Sequence, residues 1–396
     1  MPHRIAWLRL AQAAPGNSAT LAGLREIEPD LEQLGHRLAR LLEGDDEAFG
    51  ARQSNDEPPP LSPRLISRLR HPAGAEHAHD MIEWAASSSN RHLLIPTDPA
   101  YPAGLRTLSD APAMLAVTGQ LCALDRPGIA MVGSRQASRQ GLATANQFAN
   151  ELAGLGFSVI SGLAIGVDGA AHRGALDTDG ITLAVSATGP DRIYPARHRD
   201  LAEQITQRGA IVSEYPLGEG VHRWRFPQRN RLVAALSYGV VLIEAARRSG
   251  TLTTARHAIE LGKPVMPVPG SIAHGRNSGS HDLIRDGAFL VEDTREIAAL
   301  VAPAIGADLA TSSVKSESSG QNHTVKTSAV LDSLDRDATR ALACLDGDAM
   351  DVDTLCERCA LPPARVIAAL SRLELAGLAE RAFNGGYARC LNQACS

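Results

Sequence analysis

Residues 226–270 read FPQRNRLVAALSYGVVLIEAARRSGTLTTARHAIELGKPVMPVPG, and the fold is decided there. Residues 239–245 (GVVLIEA) are a short apolar run of the kind that lies in a parallel sheet covered on both faces. A polar turn follows through Arg247, Arg248, Ser249, Gly250 and Thr251. Residues 252–261 then carry alanine, leucine and isoleucine at helical spacing until Gly262 stops the helix. Residues 264–268 supply the next strand, so the unit reads strand, helix, strand. A Ser-Gly-Thr turn at the carboxyl end of a parallel strand aims backbone N–H groups and the positive end of a helix dipole past the sheet edge. Arg247 and Arg248 in the turn, with Arg229-Asn230-Arg231 in what reads as a basic loop before the strand, add positive charge there. The expected ligand is a phosphate, carried by a small nucleotide or by a polymer.

The same rhythm extends upstream. Residues 128–132 (GIAMV) read as a strand, Gly133-Ser134-Arg135 as a turn and 138–155 as a helix closed by Gly156. Residues 157–161 are a strand, 162–167 a glycine-rich turn and 168–176 a helix. Strands at 182–186 and 210–214 flank a helix at 198–207; beyond the opening stretch come a short helix at 283–286, an edge strand at 289–292 and a helix at 294–300. Strands alternating with helices predict a doubly wound parallel sheet of the α/β class, because each parallel connection crosses over through a helix. Ligands in such sheets sit beyond the carboxyl ends of the strands, where all three polar glycine turns fall.

Outside this region the chain changes character. Residues 1–90 are rich in Leu, Ala, Arg and Glu with short helical periods, broken by a Pro-rich segment at 53–63, and predict a small helical domain. The Pro-rich run at 95–102 predicts an extended lead-in to the domain of residues 91–302. Residues 303–330, rich in Ser, Gly, Asn and Lys, read as a flexible linker. Residues 331–396 read as three helices and a glycine-tipped hairpin, the pattern of a winged helix. Its third helix carries only Arg365 and Arg372 as basic residues, which favours a protein contact over duplex reading.

Bulk properties narrow the classes. A 396-residue chain with a formal net charge of −5 is not a tail-driven nucleic-acid binder, so any contact with DNA must come from local basic clusters. No apolar run approaches the ~18 to 20 residues of a membrane span, and residues 1–10 lack the form of a signal peptide, so a cytoplasmic protein is expected. Cys356, Cys359, Cys390 and Cys395 can be written as a zinc set, but the first two fall in a predicted helix among apolar neighbours and read better as small hydrophobes. No G-x-x-x-x-G-K-[ST] occurs, and the glycines at 162, 166 and 169 do not match G-x-G-x-x-G.

Several residues carry two readings. Asp168 and His172 are four apart on one helix, as a metal or acid/base pair or, preferably, as a helix cap above a packed imidazole. Glu244, ending a buried strand, is either a catalytic carboxylate or a group that orients a neighbouring arginine or amide. Trp224 and Phe226 either stack on unpaired bases or pack at a loop root. The constellation with most weight is Arg135, Arg229 and Arg231 with the Gly133 and Gly250 turns. One turn cradles one phosphate, whereas several along an edge follow a polymer backbone.

Taken in order, VGSR (132–135), SGLAIGVDGAAH (161–172), YP (194–195), SEYP (213–216), FPQRNR (226–231), SGTLTTA (249–255) and VPG (268–270) resemble the DNA-processing protein A family, also called DprA or Smf. The resemblance covers residues ~100 to 300 and is specific, being many blocks in one order. It implies an extended Rossmann-like domain that binds single-stranded DNA, forms a homodimer and loads a RecA-type recombinase in natural transformation, with no catalytic turnover and no cofactor. Carried over, Gly133, Ser134, Arg135, Arg229, Asn230 and Arg231 would line the strand-binding pocket, with Ser161-Gly162 and Ser249-Gly250 as its floor. Residues 187–191 (ATGPD) replace a more glycine-rich turn, and the first 90 residues carry no matching motif, although a helical N-terminal domain and a C-terminal winged helix fit variants of the family.

Two rivals remain. One is an enzyme related to the nucleoside-monophosphate phosphoribohydrolases, whose Gly-Thr turn is followed by a catalytic glutamate; here Gly250-Thr251-Leu252 runs into Thr253-Thr254. The other is a sensor of a free nucleotide with the winged helix as its output.

Overall fold

The computed structural model describes residues 2–14, 18–49 and 61–316 and, further along, 340–341, 344–345, 350–359, 361–363, 365–366, 369–370, 373, 379–381 and 387–389. The chain divides into two compact units, Met1–Ser312 and Ser313–Ser396.

The first unit begins with five helices: α1 (Pro2–Ala13), α2 (Ser18–Ile27), α3 (Leu31–Leu42), α4 (Pro63–Arg70) and α5 (Pro72–Ala86). Their starts follow capping rules. Asp30 accepts from the amides of Glu32 and Gln33 at α3, and α4 places Pro63 directly after the cap Ser62. Trp7, Leu34, Leu38 and Leu69 are buried between them. Their core is not closed on itself: Trp7 and Leu34 belong to one apolar cluster with Leu115 and Val117 of the sheet and Leu232 and Val233 beyond it. Residues 1–90, set apart by composition, thus share a hydrophobic core with the α/β region.

That region runs β1 (Arg91–Leu94), α6 (Ala103–Arg106), β2 (Leu115–Gly119), β3 (Gly128–Gly133), α7 (Arg139–Gly154), β4 (Ser158–Ser161), α8 (Val167–Asp177), β5 (Thr182–Val185), α9 (Arg199–Arg208), β6 (Ala210–Ser213), α10 (Arg225–Leu236), β7 (Gly239–Ile243), α11 (Thr251–Glu260), β8 (Val265–Pro267), α12 (Ser278–Arg285) and α13 (Thr294–Ser316). The eight strands form one sheet in the order β1-β2-β6-β5-β4-β3-β7-β8. Strands β3 to β8 are parallel throughout. Side chains alternate as the pleat requires: Ile129, Met131, Val241 and Ile243 face the apolar layer of α7, α8 and α13, while Ala130, Val132, Val240 and Leu242 face that of α10 and α11. Both faces are covered, which accounts for the unbroken apolar runs.

Three features depart from the sequence reading. Strands β1 and β2 pair antiparallel with each other, and β2 with β6, giving the parallel sheet an antiparallel margin. Residues 289–292 do not form a regular strand; the amides of Phe289 and Val291 donate to Val265 and Pro267, but Pro267 has no N–H to return. Helix α13 passes through Pro303 and continues to Ser316, so the described part of the expected linker is helical. VAPAIGADLA carries four alanines and one leucine, which are good helix formers, beside its one proline and one glycine.

In the second unit, α14 (Val352–Cys359) packs Leu355 and Cys359 against Leu345, Val366, Leu370 and Leu373. Strands β9 (Ala379–Arg381) and β10 (Tyr387–Arg389) pair antiparallel as the hairpin of a winged helix. Cys359 is buried in this core as a small hydrophobe, and burial pushes its thiol up to about 11. Cys390 and Cys395 lie outside the described residues, and no group of three or more metal-binding side chains occurs among the described ones. Nor is any described helix long and apolar enough to cross a membrane.

Candidate nucleic-acid interface

Because β4, β3 and β7 are neighbours, the turns that leave them lie side by side on the carboxyl edge. They are also stitched together. Thr251 Oγ1 donates to the carbonyl of Gly133 at 3.0 Å, and the Val167 amide donates to the carbonyl of Ser134 at 3.2 Å. Ser161 Oγ donates to Met131 O at 2.6 Å beneath them. This close approach explains two glycines: a Cβ on Gly133 would overlap the carbonyl oxygen of Ile243, and Gly166, at φ +87°, lies against the carbonyl of Ser134. The three turns therefore form one platform.

The platform's own amides are largely committed to the protein. Ser138, the N-cap of α7, donates from both its amide (2.7 Å) and its hydroxyl to the carboxylate of Glu244, which thus occupies the positive end of that helix. Of its two sequence readings, Glu244 fulfils the orienting one, and it does so at a left-handed φ of +52°. Asp168 Oδ2 accepts from the amides of Gly162 and Ala164, both at 3.2 Å. Burial pushes its carboxyl up, against the opposing pull of Arg229. His172 lies below, its Nδ1 at 2.7 Å from Thr182 Oγ1, and burial drives its pKa from 6.5 down to about 3. Asp168 is therefore not the cap of α8, which is Gly166; from the first turn of the helix it holds the amides of the preceding turn, beside a neutral core imidazole. At the third turn Ser249 Oγ bonds Thr251 Oγ1 and accepts from the Thr251 amide, leaving Gly250 exposed.

The Arg229-Asn230-Arg231 run requires the largest correction. It is not a loop but the second turn of α10, and both of its arginines point inward. Arg229 is 3% exposed and donates to the carbonyls of Gly162, at 2.7 Å, and Val185. Its guanidinium lies so close under Gly162 that no Cβ would fit there. Arg231 is buried in ion pairs with Glu214 (2.6 Å) and Asp110 (2.9 Å), which outweigh desolvation and hold it charged. Arg225 pairs with Glu219 between the rings of Tyr215 and Trp224. Asn230 also reaches the platform, donating to Gly250 O at 3.3 Å. Arg229 supports the floor of the site; neither it nor Arg231 is available to a phosphate.

What the edge does expose is different. Arg135 lies over the ring of Phe226, 5.0 Å from its centroid, and Phe226 meets Tyr194 at 5.6 Å. Tyr194 is 44% exposed and Trp224 50% exposed. Arg197, Arg223 and Arg248 are exposed on the loops after β5, β6 and β7, and among the described residues they and Arg135 make no ion pair. Arg247, by contrast, is held by Asp282 at 2.6 Å. Sequence reasoning missed Tyr194, although the YP block marked its position. The loop at 187–191 is braced, Gly189 N donating to Glu219 O at 2.9 Å and Asp191 Oδ1 accepting from Gly218 N at 3.1 Å.

A doubly wound sheet with adjoining glycine turns, and with exposed arginines and aromatic rings on its carboxyl edge, defines a Rossmann-type α/β protein. The family model described as DNA recombination-mediator protein A matches residues 92–302, and that of the DprA winged helix domain matches residues 325–385. Protein Smf of Escherichia coli is 39% identical over 307 residues, 77% of this chain and 79% of that protein. The DNA processing protein DprA of Streptococcus pneumoniae is 41% identical over 206 residues, covering 51% of this chain and 71% of its own. The X-ray structure of DNA processing protein A from Streptococcus pneumoniae superposes with a TM-score of 0.60 at 31% identity, covering 74% of this chain and 95% of that one. The chain belongs to the DNA recombination-mediator protein A family.

Proposed function

We propose that this protein binds single-stranded DNA across the carboxyl edge of its sheet and passes the strand to a RecA-type recombinase, acting as a cytoplasmic homodimer in natural transformation or recombination. The observation that carries the binding step is the pair of exposed residues Arg135 and Tyr194, joined by the half-buried ring of Phe226, standing on the platform of three joined turns. Unpaired bases offer faces for the rings, and the backbone beside them offers phosphates for Arg135, Arg197, Arg223 and Arg248. A duplex hides its base faces, so the same rings contribute nothing to it. Membership of a family described as recombination mediators, and relatives named for DNA processing, support the delivery step.

The reading is of a binding protein without turnover or cofactor. The carboxylates nearest the edge are engaged as structural groups: Asp168 with amides, Glu214 with Arg231 and Glu244 with Ser138. A titration of a fluorescent thymine oligonucleotide against a duplex at two salt concentrations tests it. The single strand is expected to bind more tightly, with affinity falling steeply as salt rises. Equal affinity for the two forms would favour a sensor whose winged helix reads duplex, and release of a free base from a nucleotide would favour the phosphoribohydrolase alternative.

A further inference from the structure

Beside Tyr194, on the side of the edge away from the three-turn platform, a cavity of about 260 Å³ opens between α9 and the loop after β5. Ile193, Pro190, Ala202 and Ile211 give it apolar walls, and Arg192 and Arg199 are its exposed cations. The walls are preformed. Ser186 Oγ lies 2.9 Å from Thr188 Oγ1, Gly189 N donates to Glu219 O, and Gly218 N donates to Asp191 Oδ1, so the loop holds its shape without a ligand. The nearby hydroxyls are engaged within the protein, Ser186 with Thr188 and Thr206 with Glu203 O at 2.8 Å. The cavity therefore offers apolar surface and positive charge, not a hydrogen-bond code for one base.

Topology fixes which end is positive. Helix α9 follows the parallel strand β5, so it begins at the carboxyl edge and runs back along the sheet. Arg199, its first residue, stands at the edge; Glu203, which also lines the cavity, lies one turn further from it, apart from the path of a backbone along the edge. Arg199 makes no ion pair among the described residues, and Arg192 meets Asp191 loosely, at 3.5 Å. A nucleotide has the matching polarity, with an anionic backbone at one end and a flat ring at the other. We propose that the cavity is a further base subsite of the bound strand: past Tyr194 the backbone crosses Arg199 and Arg192, and one base of any identity turns in against Ile193 and Ile211. This rests on the carboxyl edge being the strand track. Gly189 and Pro190 belong to the turn at which this chain departs from the family's more glycine-rich pattern, so this wall is its own.

The test uses the full chain with labelled isoleucine methyl groups and follows Ile193 and Ile211, assigned through Ile193→Val and Ile211→Val. A thymine oligonucleotide should move both methyl resonances upfield through the ring current of the entering base. Deoxythymidine monophosphate at the same nucleotide concentration should leave them in place. Thr118→Phe fills the cavity from β2, where an aromatic side chain suits a strand; the strand-induced shifts should vanish and affinity should fall about tenfold, within the range for one stacked base. Arg199→Ala, at the exposed start of α9, leaves fold and cavity intact and should lower the slope of log affinity against log salt by ~0.7. A strand that binds by fluorescence anisotropy yet leaves both methyls in place would overturn the proposal. So would equal shifts from the free nucleotide, or an unchanged salt slope in Arg199→Ala. A strand that fails to bind at all would instead remove the edge as a strand track, and the subsite with it.

Discussion

Replacing Arg229 and Arg135 separately distinguishes an arginine that builds the site from one that meets the ligand. Arg229→Ala removes a buried guanidinium that satisfies the carbonyls of Gly162 and Val185 and faces the buried Asp168. Hydrogen bonds from a charged donor are worth ~1.5–3 kcal/mol each, and breaking a buried charge arrangement from one side typically costs ~3–5 kcal/mol. Repacking and protonation of Asp168 offset part of this, so a loss of about 3 kcal/mol is expected. Arg135 is exposed and held only by its stacking on Phe226, so Arg135→Ala should cost no more than ~0.5 kcal/mol of stability. Urea unfolding followed by tryptophan fluorescence measures both, because all three tryptophans, Trp7, Trp84 and Trp224, lie in the first unit. In strand binding the order reverses for salt: Arg135→Ala should lower the slope of log affinity against log salt by ~0.7, the share of one phosphate contact. The reasoning is refuted if Arg229→Ala unfolds at the wild-type midpoint while lowering the salt slope as Arg135→Ala does.

Other consequences follow from the same contacts. Gly133→Ala should destabilise the protein by ~1–3 kcal/mol, because the new Cβ overlaps Ile243 O, whereas Gly250→Ala, at φ −61° with open space around it, should leave unfolding midpoint and strand affinity unchanged. His172 is neutral when folded and takes up a proton on unfolding. Its depressed pKa therefore contributes stability that is whole above pH 6.5 and is lost as pH falls toward 3. Urea midpoints across that window should fall, and the part of the fall belonging to this group should vanish in His172→Gln. Phe226→Ala removes a stacking face and the support of Arg135; oligonucleotide affinity should drop by ~1–3 kcal/mol with little change in salt slope.

The architecture was legible where pattern and physics coincide. The runs GIAMV and GVVLIEA are buried on both faces and have no alternative to a parallel sheet, and Gly133 fits a place where no side chain can. Strands β1 and β2 were not legible, since four or five residues between proline-rich turns carry too little periodicity. The site was half legible. Turn chemistry located the platform, but an arginine in a sequence shows its charge and not its partner. Nothing around Arg229 and Arg231 announced that Gly162 O, Val185 O, Glu214 and Asp110 would meet them, and Pro227 falls in the first turn of α10, where the missing N–H costs nothing. Tyr194 was hidden for the converse reason: its value lies in being left exposed beside Phe226, which only the folded chain shows.

Photo-crosslinking of an iodouracil-substituted single strand, with the attached peptides sequenced, addresses the location of binding most directly. The account predicts adducts on Tyr194, Trp224 or Phe226, suppressed by an excess of unlabelled single strand. Adducts confined to the second unit, or to the face opposite the carboxyl edge, would contradict it.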